Sequence, residues 1–403
     1  MVRPVSQFAG RLRGGGRAME LHDEARRRLA AGKDVMLLTV GDTDLDTPAG
    51  AVEAGVSAIL GGRTHYPDRW GERALRAAIA ERHASMCGVA QDPAHVLVAA
   101  GAQQALFLTL LSIVDPGDEV LVLDPYYAHH ASAVRACGAV PVPVPLSMDG
   151  GFRLLPGTVG PLVGPRTKAF IFNTPHNPTG RVFDAAETDE VVRACVANDL
   201  WVVSDEVYAD LRFGKDFVPP ASLPGMAART AAIGSLSKSH AMTGWRVGWA
   251  VLPPSLAPHA ARVSALASLG VPPFAQDAAL VALREGAGHV PAAIGARRAT
   301  VAHALSGLPG LRASAPESGP FFFLDVRGTG LSGTEFCWGL LDGEGVALVP
   351  GEGFGDGGYG HARLSLSVPE ARLAEACSRI ARHLRSLAAS RAHGEGALAL
   401  TAS

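Results

Sequence analysis

Lys238 stands between serines in SLSKSHAMTGWRVG, residues 235–248, directly after an apolar run, and Arg246 follows it in the same segment. A lysine amine condenses with carbonyl compounds and, once deprotonated, acts as a base. Alone, a lysine is more often a solvated surface charge, so its neighbours matter. Ser235 and Ser237 add hydroxyl donors and Arg246 a planar guanidinium, a set that suits a phosphate dianion, while Gly244 and Gly248 let backbone pass close by. Two other segments extend the same chemistry. In VVSDEVY, Asp205 ends an apolar run and Tyr208 follows. A carboxylate there could hold a pyridine nitrogen protonated, and a phenol could donate to a ring oxygen. In FNTPHNPTG, Asn177 lies in a Pro-flanked turn with its amide free to donate to that oxygen. Taken singly, Asp205 reads equally as a helix N-cap and Asn177 as a turn former.

The elements that carry these residues are legible as an alternation. Short β-rich runs (VLVAAG near 96, EVLVLD near 119, AFIFN near 169, LWVVSDE near 200, AAIGS near 231, VGWAVL near 247) are separated by Ala-rich, helix-like stretches and bounded by Gly, Pro, Asn or Asp. That pattern predicts an α/β fold with a mostly parallel, doubly covered sheet, and places functional residues at strand ends. In the last third, the amphipathic stretches ARRATVAHALSGL and RLAEACSRIARHLRSLA flank short strands at PFFFLDV, VALVP and ARLSLS, a smaller α+β domain. The expected division is an N-terminal segment (1–50) belonging to that small domain, a large domain (51–290), the C-terminal small domain (291–388) and a frayed tail (389–403).

Composition removes several classes of function. The 36 basic and 38 acidic residues nearly cancel, with no long basic tract, which argues against nucleic acid as a partner. The five cysteines are far apart, with no CxxC pair and no neighbouring histidine that would suggest a metal, and read as reduced thiols of a cytoplasmic protein. The N-terminal MVRPVSQFAGRLRGGG has charge without the apolar centre of a secretory signal. The charge-free run from Val96 to Val114 contains Gly101, Gln103, Gln104, Thr109 and Ser112, and reads as a buried strand and helix rather than a membrane span.

In order and spacing, NTPHNPTG, SDEVY and SLSKSHAMTGWRVG resemble the fold-type I, class I/II pyridoxal-phosphate (PLP)-dependent aminotransferases. The resemblance spans nearly the whole chain, from VGDTDLDTP at 40–48 and THYPDRWGERALR at 64–76 to GHARLSLS at 360–367. It implies the fold-type I PLP-transferase architecture and a role for each matching residue. Lys238 would carry the cofactor as a Schiff base, and Asp205 would pair with the pyridine nitrogen. Asn177 and Tyr208 would bind the ring oxygen, and Tyr127 of DPYYAHH would stack on the ring. Ser235, Ser237, Arg246 and the backbone around Ala102 and Gln103 would form the phosphate cup, at the start of a helix whose free amides favour an anion. Tyr66 matches a tyrosine that reaches the phosphate from a second subunit, which implies a homodimer. Arg363 would clamp the substrate α-carboxylate, with Gly41 and Asn177 beside it. His130 stands where some members buttress the aspartate, and a satisfied core histidine fits it equally well; His129, His176 and His240 read as ordinary core histidines.

The reaction so implied is a ping-pong exchange, in which an amino acid gives its amino group to a 2-oxo acid such as pyruvate or 2-oxoglutarate, and Lys238 both holds the cofactor and moves the proton at Cα. Within the family the chain resembles the arginine-using transaminases, and Gln103 stands where aspartate-using members often carry a lysine. Glu20, in GGRAMELHDEA, is the expected partner of a cationic side chain, with Asp44 and Asp46 behind it; a solvated first-turn glutamate is the plain alternative. Three other readings stay open: an aspartate or aromatic aminotransferase, a same-fold PLP oxidase or cyclase, and a non-enzymatic regulator. The last needs a DNA-binding domain ahead of VGDTDLDTP, where only residues 1–39 stand.

Overall fold

Apolar runs that end in Gly, Asn or Asp become strands, and the Ala-rich stretches between them become helices. The computed structural model describes the backbone of residues 16–401 and the side chains of residues 19–391. The N-terminal stretch read as lacking a signal lies, up to residue 15, outside them. In chain order, α1 (Gly16–Ala30), β1 (Met36–Leu37), α2 (Ala49–Leu60), α3 (Arg73–Cys87) and β2 (Val96–Ala99) come first. Next are α4 (Ala102–Ile113), β3 (Glu119–Asp124), α5 (Ala128–Ala136), β4 (Val140–Pro145), β5 (Thr167–Asn173), α6 (Ala185–Ala197), β6 (Trp201–Asp205), β7 (Thr230–Ser235) and β8 (Gly248–Val251). Then follow α7 (Ala257–Ala267), α8 (Pro273–Glu285), α9 (Val290–Ala304), β9 (Phe321–Asp325), α10 (Gly333–Glu344), β10 (Val346–Ala347), β11 (Val349–Pro350), β12 (His361–Ser365) and α11 (Glu370–Thr401).

The large sheet has seven strands in the order β2-β8-β7-β6-β5-β3-β4. All its neighbours run parallel except β8, which is antiparallel to both β2 and β7. Alternate residues of β3 face opposite layers: Val120 and Val122 pack with Leu106, Leu110 and Val203, whereas Leu121 and Leu123 pack with Phe170, Phe172 and Phe183. With both faces covered, the central strands are apolar throughout instead of alternating. A separate lobe holds the antiparallel sheet β11-β12-β9 and the β1-β10 pair. Its core joins Leu21 and Met36 from the start of the chain to Ile294, Phe322, Leu340 and Ile380. Parallel strands that end together leave a crevice at their carboxyl ends. Here those ends are Asn173 of β5, Asp205 of β6 and Ser235 of β7.

The run VPVPVP, which was not among the β-rich runs read from the sequence, forms β4 at the sheet edge, paired only with β3. Edge strands tolerate proline, since the missing donors need only face outward. α11 continues past Ala389 to Thr401, since no proline interrupts a stretch rich in the helix formers Ala and Leu. All five cysteines are buried and unpaired, and no described helix is long and apolar enough to cross a membrane.

Candidate active site

At the carboxyl ends of β5, β6 and β7 opens a cavity of about 330 Å³. Twelve of the residues singled out in the sequence line it: Gly41, Ala102, Gln103, Tyr127, Asn177, Asp205, Tyr208, Ser235, Ser237, Lys238, Arg246 and Arg363. His129, His130, Asn173, Met19 and Thr243 line it as well.

Lys238 follows β7, and its Nζ donates to the Gly41 carbonyl at 2.6 Å. Burial lowers its pKa to about 8; Asp42 pulls it back up, while Arg363 and Arg246 add to the lowering. Asp205, the last residue of β6, is buried, and its Oδ2 meets His130 Nε2 at 2.8 Å. His130 is thus the partner of the aspartate rather than an isolated core residue. Asn173 was not singled out in the sequence. Its Nδ2 donates to the Pro175 and Asp205 carbonyls at 3.1 and 3.0 Å, and its Oδ1 accepts from the Asn177 amide at 2.9 Å. One buried side chain therefore ties the ends of β5 and β6 to the turn that carries Asn177. The phenol of Tyr208 is buried, so its pKa is raised, and it hydrogen-bonds with Asn177.

At the opposite end of the cavity, α4 begins at Ala102 after Gly101, whose φ is +84°. Arg246 Nη2 donates to the Ala100 carbonyl at 3.1 Å and Nη1 to Thr243 O at 2.8 Å. The space there suits glycine alone. A Cβ on Gly101 would lie 2.5 Å from Arg246 Nη2, and one on Gly248 2.4 Å from the Ala102 nitrogen. Ser235 and Ser237 close the same end, linked by a 3.3 Å bond from the Ser237 amide to Ser235 Oγ. Arg363, on β12, is buried with its guanidinium carbon 4.0 Å from the Phe321 ring centroid and 4.7 Å from that of Phe354. Its Nη1 donates to Asn177 Oδ1 at 3.1 Å and its Nη2 to Thr39 O at 2.7 Å, while Nε is buried without a partner. Burial lowers its pKa to about 10, so it stays charged near neutrality.

Four of the residues singled out in the sequence stand outside the cavity lining of the single chain. Glu20 stands exposed on α1 and is not among the lining residues, whereas its neighbour Met19 is. A helix turns by about 100° per residue, so adjacent side chains face different ways. Asp44 is held by Arg297 in a two-point pair of 2.6 and 2.9 Å, and Asp46 does not line the cavity. Tyr66 is 83% exposed in the single chain, away from the lining residues. His129 is not an ordinary core histidine: it lines the cavity with its ring centroid 4.9 Å from that of Tyr127. His176 and His240 are buried, as read.

The donor set suits PLP. The carboxylate would pair with a ring nitrogen, and the amide and the phenol would bind a ring oxygen. The serines and the arginine beside a helix N-terminus would hold a phosphate, with an amine of lowered pKa in the same cavity. Among the described residues no cluster of His, Cys, Asp or Glu could hold a metal ion.

The chain belongs to the aminotransferase class I and II family, whose sequence profile matches residues 33–380. It is a PLP-dependent aminotransferase. It is similar to the arginine–pyruvate transaminase of Pseudomonas aeruginosa, 46% identical over 380 residues that cover 93% of this chain and 97% of that one. The probable aspartate/prephenate aminotransferase of Aquifex aeolicus is 36% identical, over 90% of this chain and 94% of its own. Among solved structures, the aspartate aminotransferase of Thermus thermophilus with maleate aligns with a TM-score of 0.89 at 32% identity, covering 95% of this chain and all of that one.

Proposed function

We propose that the protein moves the α-amino group of an L-amino acid with a cationic side chain, arginine foremost, to a 2-oxo acid such as pyruvate or 2-oxoglutarate. The observation that carries this reading is the charge inventory of the cavity. Its cations are Lys238, Arg246 and Arg363, and each has a task before any donor side chain is met. Arg246 belongs to the phosphate cup, Lys238 to the cofactor, and Arg363 to the α-carboxylate. Among the described residues of this chain, no lysine or arginine of the lining is left for a second carboxylate, and Gln103 in the lining is neutral. The similarity to an arginine–pyruvate transaminase points the same way.

Each residue has a physical task. Arg363 is fixed by Asn177, Thr39 and two aromatic faces, and would take the α-carboxylate without further ordering. Bound PLP supplies the electron sink that makes the Cα–H of an attached amino acid acidic. Asp205, oriented by His130, would keep the ring nitrogen protonated. Asn177 and Tyr208 would hold the ring oxygen. With a pKa near 8, Lys238 is roughly one-tenth free amine at pH 7, far more than an ordinary lysine, and would take the proton from Cα and return it on the other side of the exchange. The second subunit of a homodimer would bring Tyr66 to the phosphate. In support, Tyr66 is exposed in the single chain, as are the apolar Leu60, Leu266 and Leu269. Five unpaired thiols suit a reducing cytoplasm.

The test is a panel of amino acids offered with pyruvate and with 2-oxoglutarate, reading the amino-acid product formed from each acceptor. Arginine is expected to lead the donors, with product formation dependent on the oxo acid. Aspartate leading the panel would overturn the donor, and release of ammonia without a new amino acid would overturn the transfer.

A further inference from the structure

If Glu20 is outside the cavity and Asp44 is engaged by Arg297, a cationic donor needs another carboxylate. Asp42 directly follows Gly41, the cavity residue whose carbonyl accepts from Lys238 Nζ. It is exposed, and its Oδ1 accepts from Thr243 Oγ1 at 2.6 Å. Thr243 also lines the cavity. Asp42, like Glu20, does not itself line the cavity, but it is bonded to one lining residue and hydrogen-bonded to another, and its second oxygen makes no hydrogen bond or ion pair among the described residues. The other carboxylate of the cavity, Asp205, is already occupied by His130. A carboxylate oriented by one short bond, with its second oxygen unengaged, matches a guanidinium or ammonium arriving on a flexible chain.

We infer that Asp42 is a specificity-determining residue, which pairs with the cationic end of the donor side chain at the cavity mouth while Arg363 holds the α-carboxylate. This inference rests on the cationic-donor reading above. Asp42 is close enough to oppose the lowering of the Lys238 pKa.

The test uses the PLP-loaded enzyme and the Asp42→Asn variant, with Glu20→Gln as a control. In Asp42→Asn the ratio of kcat/KM for arginine to that for leucine, each with pyruvate, is expected to fall about 10- to 100-fold, as loss of a charge-assisted bond requires. Glu20→Gln is expected to leave the ratio unchanged. Calorimetry provides a readout without turnover. δ-Guanidinovalerate has no α-amino group to transfer, and should bind Asp42→Asn about tenfold or more weakly than wild type, while the shift for valerate is small. An unchanged ratio, or loss of both donors together with a displaced pH profile, would overturn the inference; the second result would make Asp42 a tuner of Lys238. Wild-type enzyme that uses leucine but not arginine would instead overturn the donor reading, so the two failures are distinguishable.

Discussion

A lysine amine that gives up its proton near pH 8 is a nucleophile where an ordinary one is not. Burial is the main cause at Lys238, with two arginines adding to it and Asp42 opposing. Uptake of PLP by protein stripped of cofactor requires the neutral amine, so its rate should rise about tenfold per pH unit below 8 and level off above. Stopped-flow absorbance of the bound cofactor measures this. A rate still climbing at pH 10 would show that Lys238 titrates like a solvent-exposed lysine. Lys238, Asp205, Asn177, Tyr208, Arg246 and Arg363 were all legible in the sequence, because each sits in a short motif whose residue types answer one cofactor. Asn173, Asp42 and the cavity-facing His129 were not. Their contacts, to Pro175 and Asp205, to Thr243 and to Tyr127, join segments that only the fold brings together.

At the scale of elements, the proposed phosphate end of the cavity depends on a turn that leaves no room for a side chain. Gly101 combines a φ of +84° with a neighbour that would lie 2.5 Å from a new Cβ. Gly117 has a φ of +91° and nothing within 4 Å. Both alanine variants should lose about 1–3 kcal/mol of stability from backbone strain. Only Gly101→Ala should also weaken PLP retention, by about tenfold or more, since it alone displaces Arg246. Thermal melts and cofactor dissociation separate the two effects, and equal PLP affinity in both variants would remove Arg246 from the cup. The β-rich runs were readable as strands because burial on both faces leaves them apolar. Strand direction was not, as nothing in VGWAVL marks β8 as the one antiparallel member. β4 was hidden by Pro141, Pro143 and Pro145. Its Val140 amide donates to Asp118 O at 2.8 Å, on the β3 side, where a proline could not.

At the scale of the whole molecule, the homodimer proposal makes the site incomplete in one chain. If Tyr66 serves the neighbouring subunit's phosphate, a chain with Lys238→Ala and a chain with Tyr66→Ala should each be impaired alone. A mixed dimer would then contain one doubly defective site and one intact site. Unfolding and refolding the two together is expected to restore activity toward half the wild-type value per hybrid dimer, with the dimer fraction read by light scattering. No recovery in a verified hybrid would place Tyr66 outside the partner's site. The two-lobed arrangement was visible from where strand and helix signals change. The packing of Leu21 and Met36 into the lobe of the last third was not, because composition carries no record of which distant segments share a core.

The clamped guanidinium of Arg363 also bears on handedness. Aromatic rings cover it, and two of its nitrogens are bound to protein, so a carboxylate reaches it from a restricted direction. If Arg363 holds the α-carboxylate and the nitrogen is directed to the cofactor, Cα has two substituents left to place, one toward Lys238 and the other toward the open rim. Inverting the centre would exchange them, turning the side chain against the lysine and leaving the hydrogen out of its reach. Discrimination between mirror-image donors would then follow from three fixed directions rather than from any residue that touches the chiral carbon.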